Sequence, residues 1–483
     1  LNPLKKLLGQ TAVYGLSSIL GRMMNFLLVP LYTSFFAASD YGVISQLYAL
    51  VAFLMVFLTF GMETSYFRFM QNKPDKELVY RNSFLTVFGL NILFFVIILL
   101  FNQQFADLLL MPENNHYITI MAAIVCIDAI ASIPLARLRA EEKARQFALI
   151  QFASIGVNIG LNLLFMFFLF DEERPEEGVM FILFANLASS LVKPAILYKD
   201  FMRINWSFDW QLFFQMIKYA FPLVIAGFAF VINELIDRIM LKQMLSDPEN
   251  GITLKMADAQ IGIYSACYKL AMLVSILLQA YRYAAEPFFF NQSKNPDRNK
   301  IYVKLMNYFI AAMCLAFLGI ALNIDIFKYF VGKEEYWTGL RVVPILLMAN
   351  IFLGIYINQN IWYKLSDQTK FGAYIAFGGA ILTILINYLF IPVAGYMASA
   401  WATLIAYGAQ MVASYLLGQK YYPIRYNLRK FFLYLGSALT IFFIANALPL
   451  KDGSLAKFIV NNVLILVFVG LVMFIEGLKL KRT

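Results

Sequence analysis

Residues Gly42 to Phe60 read GVISQLYALVAFLMVFLTF, and residues Gly262 to Ala280 read GIYSACYKLAMLVSILLQA. At about 1.5 Å of rise per residue, either stretch makes a helix long enough to cross most of a hydrocarbon layer about 30 Å thick. Laid over one another at an offset of 220, they match Gly42 to Gly262, Ser45 to Ser265, Tyr48 to Tyr268, Leu50 to Leu270 and Leu58 to Leu278. The chain therefore contains a membrane-length helix and, later, what reads as its copy. A second pair lies elsewhere. At an offset of 225, Ala148, Ile150, Phe152, Ile159, Asn162, Leu164 and Phe165 meet Ala373, Ile375, Phe377, Ile384, Asn387, Leu389 and Phe390. Near-constant offsets at two separate places argue for an internal duplication.

The rest of the sequence has the same character. Its 483 residues are 61% hydrophobic and only 14% charged, against roughly 45–50% apolar and 25% charged in soluble domains. Apolar runs near the length of a span fall at 11–36, 43–69, 82–102, 116–136, 146–170, 179–199, 217–241, 260–290, 303–324, 340–362, 371–392, 396–419, 431–449 and 456–477. The expectation is an all-α polytopic membrane protein of 14 transmembrane helices. The N-terminal "NPLKKLLGQTAVYG" resembles the basic start of a signal peptide. Its apolar run continues to Phe36, so it reads as an interfacial turn entering a retained first span. Cys126, Cys267 and Cys314 lie in apolar runs without pairing or metal spacing, and the single histidine, His116, borders a loop. Disulfide scaffolds, zinc sites and histidine-based catalysis have no footing.

The net charge of +10 would suit a nucleic-acid binder if it were clustered. It is sorted by side instead. In the loops and span ends on the N-terminal side, as in "RLRAEEKAR" and "KNPDRNKIYVK", basic residues outnumber acids more than three to one; opposite, as in "DEERPEEG", acids prevail. By the positive-inside rule both termini are cytoplasmic and no nucleic-acid partner is implied.

Spans two and eight, like five and eleven, differ by six, so repeat partners cross in the same direction. This is a parallel repeat about an axis along the membrane normal. The expected organisation is an N-lobe at 1–200 (spans one to six), a cytoplasmic linker at 201–216 and a C-lobe at 217–420 (spans seven to twelve). Residues 421–483 add two C-terminal helices. Pro30, Pro134, Pro194, Pro222, Pro287 and Pro344 lie within or at the ends of spans, where proline kinks helices.

Ten charges fall inside spans: Arg22, Arg238, Lys269 and Arg282, with Glu63, Asp128, Glu234, Asp237, Glu286 and, at the inner end of the last span, Glu476. Each costs about 2.5–3.5 kcal/mol at a helix centre on insertion scales, so each calls for pairing, water or a function. Glu234 with Arg238 and Arg282 with Glu286 stand at i,i+4, where side chains can meet. Arg22 lies about 16 Å into its span, near the midplane. Arg22, Lys269, Arg282 and Arg238 thus form a candidate series of steps for an anionic head group, since guanidinium binds phosphate through paired hydrogen bonds. Salt bridging that glues or gates a cavity is the competing reading. Glu63, Asp128, Asp237, Glu234 and Glu286 are candidates for cation coupling or gating. No cofactor is expected, and a proton or sodium ion is the candidate driving ion.

The opening "YGLSSILGRMMNFLLVPLYTSFFAASDYG", the "NELIDRIML" at Asn233–Leu241, the "YSACYKLAMLVSILLQAYRYAAEPFFF" from Tyr264 and the span-five and span-eleven repeat together resemble the Wzx-type polysaccharide biosynthesis flippases of the MOP superfamily. The resemblance implies a MOP/MATE-like fold in a bacterial cytoplasmic (inner) membrane. It implies translocation of an undecaprenyl-pyrophosphate-linked oligosaccharide to the outer leaflet, for O-antigen, capsule or exopolysaccharide assembly. Arg22 in "GRMMN" would then be a cavity arginine, and other polysaccharide-assembly membrane proteins would be the protein partners. Lipid II flippases and MATE-type cation-coupled multidrug exporters are the competing relatives. Fourteen spans and central cations favour a flippase, while the in-span charges other than Glu476, four basic against five acidic, weigh against a plainly cationic cavity. A membrane enzyme using the same lipid donors would need a sizeable external loop with catalytic acids, and "AASDYG" and "DEERPEEG" are too short. An assembly scaffold leaves the mid-membrane charges unexplained.

Overall fold

Polar residues at the breaks between apolar runs start the helices. Asp75, Asp209, Asn427 and Ser454 each accept a hydrogen bond from the backbone N–H three residues on, at 2.9, 2.9, 3.1 and 3.2 Å. Each satisfies one of the donors that a helix start leaves open. The computed structural model describes residues 26–73, 75–202, 206–246, 253–292, 295–366 and 368–477. Among these, every regular element is helical; thirteen helical stretches are long and apolar enough to span a membrane, and the shorter apolar helix Phe26–Phe35 precedes them. This is the all-helical, fourteen-span architecture expected. Most of the first span, Arg22 included, lies outside the described residues.

The chain divides into two compact units, Leu1–Gly262 and Ile263–Thr483. The first holds α1 (Phe26–Phe35), α2 (Ala38–Thr59), α3 (Met62–Asn72), α4 (Lys76–Leu100), α5 (Asn102–Leu108), α6 (Asn115–Ala140), α7 (Ala144–Phe168), α8 (Pro175–Ile196), α9 (Tyr198–Met202), α10 (Trp210–Leu245) and the first turns of α11 (Leu254–Gln292). Within it α7 lies along α8, α4 along α6, and α10 against α2 and α3. Two of the boundaries that differ from expectation have a visible cause. The run expected at 43–69 breaks at Phe60 and Gly61, both left-handed (φ 47° and 63°), because Gly61 sits tightly on α10: an added Cβ would lie 3.3 Å from the Ala220 carbonyl oxygen. Only glycine takes such a conformation freely. The run expected from 217 begins at Trp210, because Asp209 caps it there and Asn82 fixes the Asp209 backbone by hydrogen bonds of 2.6 and 3.1 Å.

At its tightest point the first unit brings the duplicated stretches together. A Cβ at Gly42 would lie 1.9 Å from the carbonyl oxygen of Asp258, and one at Gly262 would lie 1.8 Å from that of Ala38. Ala38 and Asp258 correspond at the same offset of 220 as the two glycines, so the crossing of α2 and the start of α11 is symmetric under exchange of repeat partners. Beside it, Lys242 (1% exposed) and Asp258 form an ion pair at 3.0 Å.

The second unit continues along α11 and adds α12 (Arg298–Ala321), α13 (Ile324–Phe327), α14 (Val342–Gln359), α15 (Ile361–Leu365), α16 (Lys370–Ala394), α17 (Tyr396–Tyr421), α18 (Leu428–Ala447) and α19 (Leu455–Glu476). Helix α14 packs along α17, α16 along α17, and α12 along α18. The end of α19 meets the start of α18 through the Lys430–Glu476 ion pair at 2.7 Å, while its start meets α13 through Lys457–Asp325 at 3.4 Å. Helices α18 and α19 therefore run in opposite directions. Phe474 (88% exposed) and Val393 (85%), like Phe168 (82%) in the first unit, would be a liability in water. On span-length helices they mark surface that meets lipid.

Candidate functional site

Each unit has a concave site within its helices that combines charge with polar lining. In the first unit, α2, α6, α7 and α8 enclose a cavity of about 350 Å³. Its polar wall follows from helical spacing. On α7, Gln151, Ser154 and Asn158 lie on one face, and on α8, Asn186, Ser189 and Lys193 do the same. Ser154 and Ser189 exchange hydroxyl-to-carbonyl hydrogen bonds of 2.7 and 2.8 Å. The Asn158 amide donates to Asn186 Oδ1 at 3.1 Å, and Asn186 donates to the Tyr48 hydroxyl at 2.8 Å. The Tyr32 hydroxyl extends the ladder by donating to Asn162 Oδ1 at 2.9 Å. At one end Lys193 Nζ meets Asp128 Oδ1 at 2.7 Å, both side chains partly buried. Such a set of amides and hydroxyls has the chemistry to hydrogen-bond water, an ion or a polyol.

In the second unit, α11, α14 and α15 form a pocket of about 200 Å³ lined by Tyr281, Arg282, Asn358, Asn360 and Lys364, with Ala285 and Phe289 as its apolar floor. The Asn358 amide donates to the Tyr281 hydroxyl at 2.8 Å. The buried Asn360 Oδ1 has no hydrogen-bond partner among the described residues. Two cations lining one pocket suit a phosphate.

The other candidates from the sequence are placed as follows. In α10 the expected Glu234–Arg238 side-chain pair gives way to another: Arg238 Nη1 meets Asp237 Oδ1 at 2.7 Å and donates to the Glu234 backbone carbonyl at 2.6 Å. The guanidinium folds back toward the helix N-terminus, the direction helical side chains prefer, and meets a carbonyl where a carboxylate was expected. Asp237 thereby acquires its partner, with both side chains 5% exposed; Glu234 is half-buried. Glu63, first assigned to a continuous span without a partner, lies on α3 and pairs with Arg139 at 2.7 Å. Nearby Arg137 bonds Glu77 at 2.9 Å and Glu141 at 2.7 Å, so Glu63 belongs to a charged helix-end cluster. Partial burial pushes the Glu141 carboxyl up, but Lys143 and Arg137 outweigh it and hold Glu141 below the usual carboxylate range. Lys269 is half-buried on α11 and Arg282 is exposed into the second pocket. The Glu286 side chain, like Arg22, lies outside the described residues.

Sequence reasoning missed Lys193, Lys364 and the Lys242–Asp258 pair by treating them as loop or span-end charges. For Lys193 a signal existed: Asn186, Ser189 and Lys193 repeat at helical spacing. For Lys364 the polar "NQN" at 358–360 hid it, because the helix continues past the break as α15.

The comparisons with known proteins agree with this architecture. An uncharacterized membrane protein of Haemophilus influenzae is 21% identical over 298 residues, covering 60% of this chain and 66% of that relative, just under two thirds of its length. A product of the Lsg locus of the same organism is 20% identical over 412 residues, 82% of this chain and 95% of that protein. Among solved structures, the lipid II flippase MurJ in an inward closed conformation matches with a TM-score of 0.69 at 13% identity, covering 95% of this chain and 98% of MurJ. An inward-facing MATE-family multidrug resistance transporter of the MOP superfamily matches with a TM-score of 0.61 at 13% identity, covering 85% and 94%. At these identities the structural matches establish the fold, which is that of MOP-superfamily transporters. Residues 7–292 match the polysaccharide biosynthesis protein family, more than half of the sequence, and the chain belongs to that family.

Proposed function

We propose that this protein is an alternating-access flippase that moves an undecaprenyl-pyrophosphate-linked oligosaccharide from the cytoplasmic to the outer leaflet of a bacterial inner membrane. Both termini face the cytoplasm in this reading, and the lobes are 1–200 and 217–420. The observation that carries it is the pocket of the second unit, which Arg282 and Lys364 both line. A pyrophosphate suits the two cations. A cationic drug would meet like charge there, which argues against a multidrug exporter.

Lys269 and Arg22 are further candidate contacts for the anionic substrate in this proposal, while Arg238 and Asp237 serve as a structural pair. The Asp128–Lys193 pair is the proposed coupling element. Protonating Asp128, or displacing Lys193 from it with another cation, would separate the pair and change the charge of its cavity. Glu63, Glu234 and Glu286 take gating roles.

The test is a proteoliposome assay that follows a lipid-linked oligosaccharide and, in parallel, a cationic drug. The wild type should translocate the former alone, and Arg282→Gln or Lys364→Gln should reduce its rate by tenfold or more at normal expression. Drug transport, or unchanged flipping by both variants, would overturn the assignment.

A further inference from the structure

Beyond substrate transport, the helix ends of the second unit form a site of a different kind. The start of α12, the 423–427 connection, the start of α18 and the end of α19 surround an open cleft of about 580 Å³. Lys300, Lys304, Arg425 and Lys430 line it, and Glu476 is its sole acid among the described residues. Glu476, with its side chain 7% exposed, is occupied within the fold: it accepts from Lys430 Nζ at 2.7 Å and from the Tyr434 hydroxyl at 2.5 Å. Lys300 bonds the exposed Asp297 at 2.8 Å. Lys304 and Arg425 extend into the opening, so the cleft stays net positive.

The second observation is what adjoins it. Asn307 also lines a neighbouring cleft of about 210 Å³, whose walls include Met306, Ile310, Met411, Leu428, Phe431 and Phe432 and are almost wholly apolar. A cationic opening beside an apolar channel, at the ends of membrane helices, has the polarity of a phospholipid. Apolar side chains alone would fit any lipid; the basic residues select one with a negative head.

We propose that this paired cleft is a binding site for an anionic phospholipid, with the headgroup phosphate between Lys304 and Arg425 and an acyl chain along Phe431 and Phe432. Lys430 is held by Glu476 and fixes the wall. The lipid acts as a bound structural ligand that ties α18 and α19 to α12, distinct from the transported molecule at Arg282.

Native mass spectrometry of the full protein, titrated with phosphatidylglycerol or phosphatidylcholine, tests this. The wild type should prefer phosphatidylglycerol, and Lys304→Gln with Arg425→Gln should weaken it by about fivefold per charge removed. The charge-keeping pair Lys304→Arg and Arg425→Lys should retain it, which separates charge from misfolding. Arg282→Gln should leave phosphatidylglycerol binding unchanged. Equal binding of the two lipids by the wild type, or full preference in the Gln pair, overturns the proposal. So does a wild type in which inorganic phosphate displaces phosphatidylglycerol at the same concentration, since the cleft would then be a soluble-anion site. Loss of phosphatidylglycerol binding in Arg282→Gln would overturn it as well, by assigning the lipid to the transport path.

Discussion

A buried charge is explained by its neighbour more than by its depth. Asp128 is conspicuous in the sequence, yet the property that matters is its contact with Lys193 at 2.7 Å. With side chains 26% and 16% exposed, the pair falls between surface and buried limits, so Asp128→Asn should cost about 1–3 kcal/mol of stability. Adding Lys193→Met should recover part of the loss. Melting temperatures across this double-mutant cycle measure the coupling, and additive losses would show that the contact contributes nothing. Glu141 offers a pH test. Its folded carboxyl titrates below the unfolded value of about 4.3, so its stabilisation is complete above that value and is lost as pH falls through the lowered one. Acid scans of the melting temperature should therefore be shallower below pH ~4.3 for Glu141→Gln than for the wild type.

At the scale of elements, the glycine crossing gives the sharpest prediction. Gly42→Ala and Gly262→Ala each place a methyl group against a carbonyl of the other helix, and overpacking of this kind costs about 1–3 kcal/mol. Gly89, on α4 with nothing within 4 Å of an added Cβ, is the control. There alanine should be neutral or gain up to about 1 kcal/mol through helix propensity. Thermal unfolding of the three variants decides it. The element scale also marks how far the sequence could be read. Spans were legible because a lipid-facing helix must be apolar over its length, and the duplication was legible because α7 and α16 keep the same polar residue. Asn162 and Asn387 both donate to the carbonyl four residues back, at 2.8 and 2.9 Å, and both accept from a hydroxyl, Tyr32 or Ser399. Each asparagine therefore holds helices together within its own unit. Helix rotation was not legible. Whether Arg238 meets Glu234 or Asp237, and whether Lys193 faces a cavity or a headgroup, depends on a few tens of degrees about an axis that composition does not fix.

For the molecule as a whole, the positive-inside rule sorts the polar turns into two sets. The "DEERPEEG" turn before α8 and the 423–427 connection should lie on opposite sides of the membrane if the basic loops are cytoplasmic. The native cysteines among the described residues are all buried, so single introduced thiols report cleanly. A membrane-impermeant maleimide should label Glu172→Cys in intact cells and Asn427→Cys only after permeabilisation. The reverse pattern would invert the orientation and, with it, the proposed direction of transport. The two glycines bear on this larger behaviour too. Where α2 touches the start of α11, backbone rests on backbone with no side chain of either glycine between. Most helix contacts are mortised, with side chains locked into facing hollows, and parting them exposes those chains and frees their rotamers. This one is a butt joint. Parting the two glycines forfeits dispersion and weak Cα–H contacts and frees no rotamer of either residue.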